Sequence, residues 1–298
     1  MAQEANPKYD VEEAQSSMEK ASAQLHPRRA GQIRRPRHQR LIRRCDGYGF
    51  EIMKPSTRNP SLLAVLFFVA FAAFGDGATN YDDSGYAKFG KGDFKGALAD
   101  FTKAIELDTN DYYAYATRGQ LKGNMGDFDG ALADCSKSIA INPRYADAYD
   151  TRGLMESFKT NWDAALADYN KVIELQPANA AGYVNRARIR GTKNDLAGAI
   201  ADCNKAIELG PDSIDAYSLR ALMKQGNGDT NGALADFNKI IEIKPDNAVG
   251  YFNRGTFKSS NGDTNGAQAD FKKAVELNPT FRESIGTKGY LMNGTDSK

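Results

Sequence analysis

Ala97-Leu98-Ala99-Asp100 is followed 34 residues later by Ala131-Leu132-Ala133-Asp134, and then by Ala165-Leu166-Ala167-Asp168 at the same interval. The series continues as Ala199-Ile200-Ala201-Asp202, Ala233-Leu234-Ala235-Asp236 and Ala267-Gln268-Ala269-Asp270, with no insertion between copies. A fixed period of this length marks a stacked array of helical hairpins, in which each unit buries its apolar face only against its neighbours. Six units of 34 residues fill 78–281, starting at 78, 112, 146, 180, 214 and 248.

Other columns obey the same register. Position 4 is always tyrosine: Tyr81, Tyr115, Tyr149, Tyr183, Tyr217 and Tyr251. Position 8 is small: Gly85, Gly119, Gly153, Ala187, Ala221 and Gly255. Position 20 is always alanine, and position 32 is proline at Pro143, Pro177, Pro211, Pro245 and Pro279. Small residues at positions 8 and 20 let two helices approach to roughly 8 Å, where larger side chains would overpack the contact. Gly-Asp at Gly92-Asp93, Gly126-Asp127, Gly228-Asp229 and Gly262-Asp263 predicts a left-handed glycine closing the first helix and an aspartate capping the second. Proline at position 32 stops the second helix.

In these small, aromatic and proline columns the chain resembles the tetratricopeptide repeat family over residues 78–281. The resemblance implies an all-α, right-handed α-solenoid of twelve repeat helices. Residues 282–298 supply a closing helix, Arg282 to Met292, and a tail ending after Asn293-Gly294. The first repeat is atypical, with Ser84 and Thr109 where later repeats place arginine and proline, and the last has Gln268. Glu283, Thr287 and Lys288 give the closing helix the wettable face a terminal cap requires.

Charge is divided unevenly. Residues 1–60 carry 12 Lys+Arg against 7 Asp+Glu, and the remainder carries 27 against 31. The repeats are thus mildly acidic, without a basic footprint for nucleic acid. The two histidines, His26 and His38, both precede the repeats, which therefore lack an imidazole for general-base catalysis, a nucleophilic triad or metal ligation. Cys135 and Cys203 share position 24 with Phe101, Tyr169, Phe237 and Phe271, which predicts buried apolar thiols on the order of 20 Å apart. A disulfide between them is excluded.

Residues 1–52 read as a disordered basic extension, with arginines at 28, 29, 34, 35, 37, 40, 43 and 44. Residues 53–77 follow, holding the uncharged run Leu62 to Phe74. Thirteen residues are short of the ~20 a spanning helix needs. Lys54 and Arg58 before the run, with Ala73, Gly75, Gly77 and Ala78 at its end, give the layout of a secretory signal starting at Met53. The expectation is cleavage near Gly75 or Gly77 and export to a periplasmic or extracellular location. The alternative keeps Met1 and makes the run a membrane anchor, its arginine cluster left in the cytoplasm to bind anionic lipid or nucleic acid.

Two motifs are set aside. Gly85 to Gly92 imitates a phosphate-binding loop but lacks the final Ser or Thr and lies on a helix. The Asn-Gly-Asp-Thr-Asn-Gly segments at 227–232 and 261–266 imitate half a calcium loop, yet the bidentate glutamate positions hold Asn238 and Lys272. No cofactor and no metal are expected.

Position 7 carries Arg118, Arg152, Arg186, Arg220 and Arg254, and position 23 carries Asp134, Asp168, Asp202, Asp236 and Asp270. The expectation is a ladder of ion pairs joining the two helices of each repeat, with an arginine row for an acidic ligand as the alternative. The resemblance also implies a groove lined by first helices at positions 2, 5, 9 and 12. Here it would include Tyr113, Asp147, Asp150, Val184, Arg188, Leu222, Val249 and Phe252. The lysine–asparagine clamp some relatives use for a terminal carboxylate is absent. Such a groove suits an extended peptide or partner helix of some basic character, so the expected function is a non-catalytic protein-binding scaffold.

Overall fold

The computed structural model describes residues 77–287, and its described residues form thirteen helices. The apolar run 62–74, the arginine cluster and the chain beyond 287 lie outside them. The helices are α1 (77–90), α2 (Phe94–Leu107), α3 (Tyr112–Asn124), α4 (Phe128–Ile141) and α5 (Ala146–Phe158). They continue as α6 (Trp162–Leu175), α7 (Ala180–Thr192), α8 (Leu196–Leu209), α9 (Ile214–Gly226) and α10 (Thr230–Ile243). The last three are α11 (Ala248–Ser260), α12 (Thr264–Leu277) and α13 (Phe281–Thr287). Odd-numbered helices through α11 are the first helices of repeats, even-numbered ones the second.

The chain divides into two compact units, one ending at Phe158 and the other beginning at Lys159. In the first unit α2 packs on α3, α3 on α4 and α4 on α5, with α3 also meeting α5. In the second, α6 to α13 repeat the scheme, each helix on the next, with α7 meeting α9. Neighbour-only packing of tandem helix pairs is the α-solenoid arrangement.

Local chemistry explains each turn. Gly92, Gly126, Gly228 and Gly262 have φ between 79° and 85°, and Asp93, Asp127, Asp195, Asp229 and Asp263 each accept a backbone N–H three residues on. The equivalents in the third and fourth repeats are Thr160 (φ 61°) and Asn194 (φ 63°). Asparagine tolerates this region, whereas β-branched threonine is strained there by about 1–2 kcal/mol. Thr160→Gly should therefore raise stability by about 1 kcal/mol after glycine's own entropic cost, and Asn194→Gly by less. Thermal unfolding of the two variants checks this; equal shifts would refute strain at Thr160.

The six position-20 alanines are buried, as are Phe101, Tyr169, Phe237 and Phe271. Cys135 and Cys203 are buried free thiols. Burial pushes the Cys203 thiol up to about 12, with Asp202 adding to the effect. The closing helix α13 buries Ile285 against Ala267 and Phe271.

Candidate functional site

Polar side chains of the first helices point in two directions. One set enters the hairpins. Arg118 on α3 donates from Nε to Asp134 Oδ2 at 2.8 Å and from Nη2 to Oδ1 at 2.7 Å. Arg186 meets Asp202, Arg220 meets Asp236 and Arg254 meets Asp270 with the same bidentate geometry, at 2.6–2.9 Å. These aspartates are buried. Their hydrogen bonds hold Arg118, Arg186 and Arg220 protonated above the ordinary arginine range, against the opposing effect of burial.

Each of these arginines also reaches the preceding repeat. Arg186, Arg220 and Arg254 donate from Nη1 to Asn170, Asn204 and Asn238 at 2.7–2.8 Å. Their guanidiniums lie 5.3–5.7 Å from the rings of Tyr183, Tyr217 and Tyr251, one turn earlier on the same helix. Arg152 shares this stance, 5.6 Å from Tyr149 and bonded to Ser136 Oγ at 3.3 Å. Arg152 belongs to the first unit and the buried Asp168 to the second.

A second cation column escaped the sequence reading. Lys122 reaches Asp134, Arg190 reaches Asp202, Lys224 reaches Asp236 and Lys258 reaches Asp270, at 2.8–2.9 Å. They stand at position 11, one turn beyond the arginine, and their 34-residue recurrence was the available signal. In the first repeat, Lys88 meets Asp100 at 2.7 Å. Burial would raise the Asp100 carboxyl, but hydrogen bonds from Lys88 and Ser84 outweigh it and hold it below the usual range. Position 11 of the third repeat is Glu156.

The other set is the groove-position residues, which fall into two groups by unit. In the first, Asp147 is exposed, while Tyr113 and Asp150 are half-buried. In the second, Leu222 is 43% and Val249 52% exposed, and Arg188 is half-buried. Two residues differ from the expectation of an open lining. Val184 is buried in one core cluster with Ala187 and Ala199 of its own repeat and with Ala216, Leu219 and Met223 of the next first helix. Phe252 stacks on Phe281 of α13, with centroids 4.9 Å apart, so the closing helix covers one side of its ring. Among the described residues no group of three or more His, Cys, Asp or Glu could hold a metal ion.

Helix pairs at a fixed 34-residue repeat, with small residues at the crossing and first-helix faces left open, are matched by family models. Two models described as tetratricopeptide repeat match residues 78–111, 112–145, 214–247 and 248–281, and residues 158–214. The chain belongs to the tetratricopeptide repeat family. The matched boundaries of the four shorter segments coincide with the repeats read from the sequence. Among solved structures, MamA is 26% identical with a TM-score of 0.52, covering 58% of this chain and 95% of that one. YrrB, a tetratricopeptide repeat protein described as having an unusual peptide-binding site, is 21% identical with a TM-score of 0.50 (63% and 97% covered). PilF of Pseudomonas aeruginosa is 15% identical with a TM-score of 0.62 (74% and 100% covered). No curated protein matches the chain. Repeats of this family are protein-interaction modules, and the chain is at that level a protein-interaction scaffold.

Proposed function

We propose that the chain is a non-catalytic scaffold that takes peptides or helices of partner proteins on the first-helix faces of its repeats. The observation that carries this reading is the exposure of Leu222 and Val249, at groove positions on α9 and α11. The arginines and lysines of these helices turn instead to buried aspartates. Large apolar side chains left open on a rigid helical support are the usual anchors for a bound segment. YrrB, of the same fold, has a described peptide-binding site.

The test is a random-peptide display selection on the whole chain. Selected peptides should lose at least about tenfold in affinity when Leu222→Asp and Val249→Asp are combined, with helical circular dichroism unchanged. Peptides that bind wild type and variant alike would remove the second-unit face from the account.

We further infer export, with the segment before the repeats removed near Gly75 or Gly77. Lys54, Arg58 and the run Leu62 to Phe74 support it. The eight arginines between 28 and 44 support a second reading, a membrane-anchored adaptor whose basic arm binds anionic lipid or nucleic acid. Intact mass of the protein from fractionated native cells separates the two. A start near Asp76 or Ala78 establishes export; a start at Met1 gives the lead to the adaptor, whose arm binding must fall steeply with salt.

A further inference from the structure

The cations of α7, α9 and α11 are engaged on buried carboxylates, with one exception. Arg186 and Arg190 share Asp202, Arg220 and Lys224 share Asp236, and Arg254 and Lys258 share Asp270. Arg188 of α7 is half-buried, and among the described residues its guanidinium has no hydrogen-bond or ion-pair partner. Helix geometry accounts for the difference. Arg188 lies two residues from both Arg186 and Arg190, and two steps of about 100° carry a side chain to the far side of an α-helix, away from Asp202.

That far side is groove position 9. The same position on the next first helix is Leu222, which is exposed, and α7 meets α9 directly. On α9, Ser218, Leu222 and Gln225 follow one another at i, i+4 and i+7 and so share one stripe. The Ser218 hydroxyl and the Gln225 amide also have no hydrogen-bond partner among the described residues. An unpaired guanidinium and two unused donors thus stand at the groove positions that carry an open apolar side chain. The one carboxylate at groove positions of these three helices is Asp215, seven residues before Leu222 and so about 10 Å from it along the axis.

We propose that Arg188 and Leu222 anchor a partner segment in which an aspartate or glutamate side chain stands next to a large apolar one. This rests on the peptide-binding reading above and names the chemistry of its second-unit occupant. A guanidinium takes a carboxylate through two parallel N–H donors, and half-burial spares the pair much of the screening that makes exposed ion pairs weak. No internal carboxylate has to be displaced from Arg188, so its donors are available to the ligand. The groove composition as a whole suits a partner of some basic character, but at this place the free charge selects the opposite sign.

The test measures, by polarisation, binding to the whole chain of fluorescein-labelled, C-terminally amidated peptides of repeating Glu-Leu-Ser, Gln-Leu-Ser and Lys-Leu-Ser. The glutamate peptide should bind about tenfold more tightly than the glutamine peptide, and the lysine peptide should not bind. Arg188→Gln should bind the glutamate and glutamine peptides alike, without the loss of glutamate binding that added salt causes in the wild type. Arg188→Lys, which keeps the charge but not the fork, should restore part of the preference. Leu222→Asp should lose both peptides. Arg188→Gln breaks no ion pair, so its melting temperature should match the wild type, and circular dichroism of every variant separates lost binding from lost fold.

If the wild type binds the glutamate and glutamine peptides alike while Leu222→Asp still abolishes binding, the proposal falls and the peptide-binding reading stands. A glutamate peptide that fails to bind, or that binds only with a free C-terminal carboxylate, also overturns the proposal. Glutamate binding that survives Arg188→Gln but is lost when the arginines between 28 and 44 are changed to serine overturns it in favour of the basic segment. If the glutamate peptide and display-selected peptides all bind the Leu222→Asp/Val249→Asp chain as tightly as the wild type, both readings fall.

Discussion

Replacing Asp202 with leucine should destabilise the second unit by about 3–5 kcal/mol, because it leaves the Arg186 guanidinium without its carboxylate in a largely buried site and leaves Arg190 only its looser contact with Asp195 at 3.7 Å. Asp202 is only 3% exposed, and its two oxygens accept Arg186 Nε and Nη2 together with Arg190 Nη1. Arg186→Leu should cost less, since Arg190 still neutralises the carboxylate at 2.9 Å. The double variant Arg186→Leu/Asp202→Leu should cost less than the two losses added, by at least about 1 kcal/mol, because leucines can fill the space the pair vacates. Urea unfolding at constant slope measures all three. Additive losses would mean that the arginine and the aspartate stabilise the hairpin separately, and would return the arginine row to the alternative role of binding an acidic ligand. The same cycle on Arg220 and Asp236 tests whether the ladder acts alike from repeat to repeat, as nearest-neighbour packing requires.

The periodic columns made the hairpins legible, since a small residue, a capping aspartate and a stopping proline each have one mechanical use. The position-7 arginine could be matched with the position-23 aspartate because both recur and carry opposite charge. Lys88, Lys122, Lys224 and Lys258 recur less strictly, with Glu156 and Arg190 between them, and a lysine on an amphipathic helix usually reads as a solvated side chain, so their direction was hidden. Val184 was unreadable for another reason. An apolar residue at position 5 is open or covered according to what neighbouring helices pack around it, and here Val184 joins a core that includes Ala216, Leu219 and Met223 of the following first helix. The third repeat differs from its neighbours at Glu156, Thr160 and Asn161, and the boundary between the units falls among these residues. Each departure is visible in the sequence, but the φ of Thr160 is not.

Phe237→Ala should cost about 3–5 kcal/mol, whereas Cys203→Ala, at the same register position one repeat earlier, should cost about 1 kcal/mol or less. The difference lies in who fills the space. Phe237 is buried with Tyr217, Ala221 and Ile240, and its ring lies 5.3 Å from that of Phe257 at position 10 of the next repeat. Deleting it opens a cavity between rigid rings that cannot close over it. Cys203 shares its core with Met223, again at position 10 of the next repeat. The Met223 thioether lies over Gly191, where an added Cβ would meet Sδ at 2.6 Å. Met155 lies over Gly123 in the same way, at 2.5 Å, following Cys135. Cysteine at position 24, glycine at position 12 and methionine in the next repeat thus occur together twice, as a volume exchange in which a long flexible side chain replaces an aromatic ring. Methionine can shift into the small space left by Cys203→Ala, which keeps that loss low. Met223→Ala should then raise the cost of Cys203→Ala by more than the separate effects predict, a coupling that a double-mutant cycle resolves. Equal costs for Phe237→Ala and Cys203→Ala would show that the cores of the fourth and fifth repeats relax alike and that Met223 does not substitute for a ring.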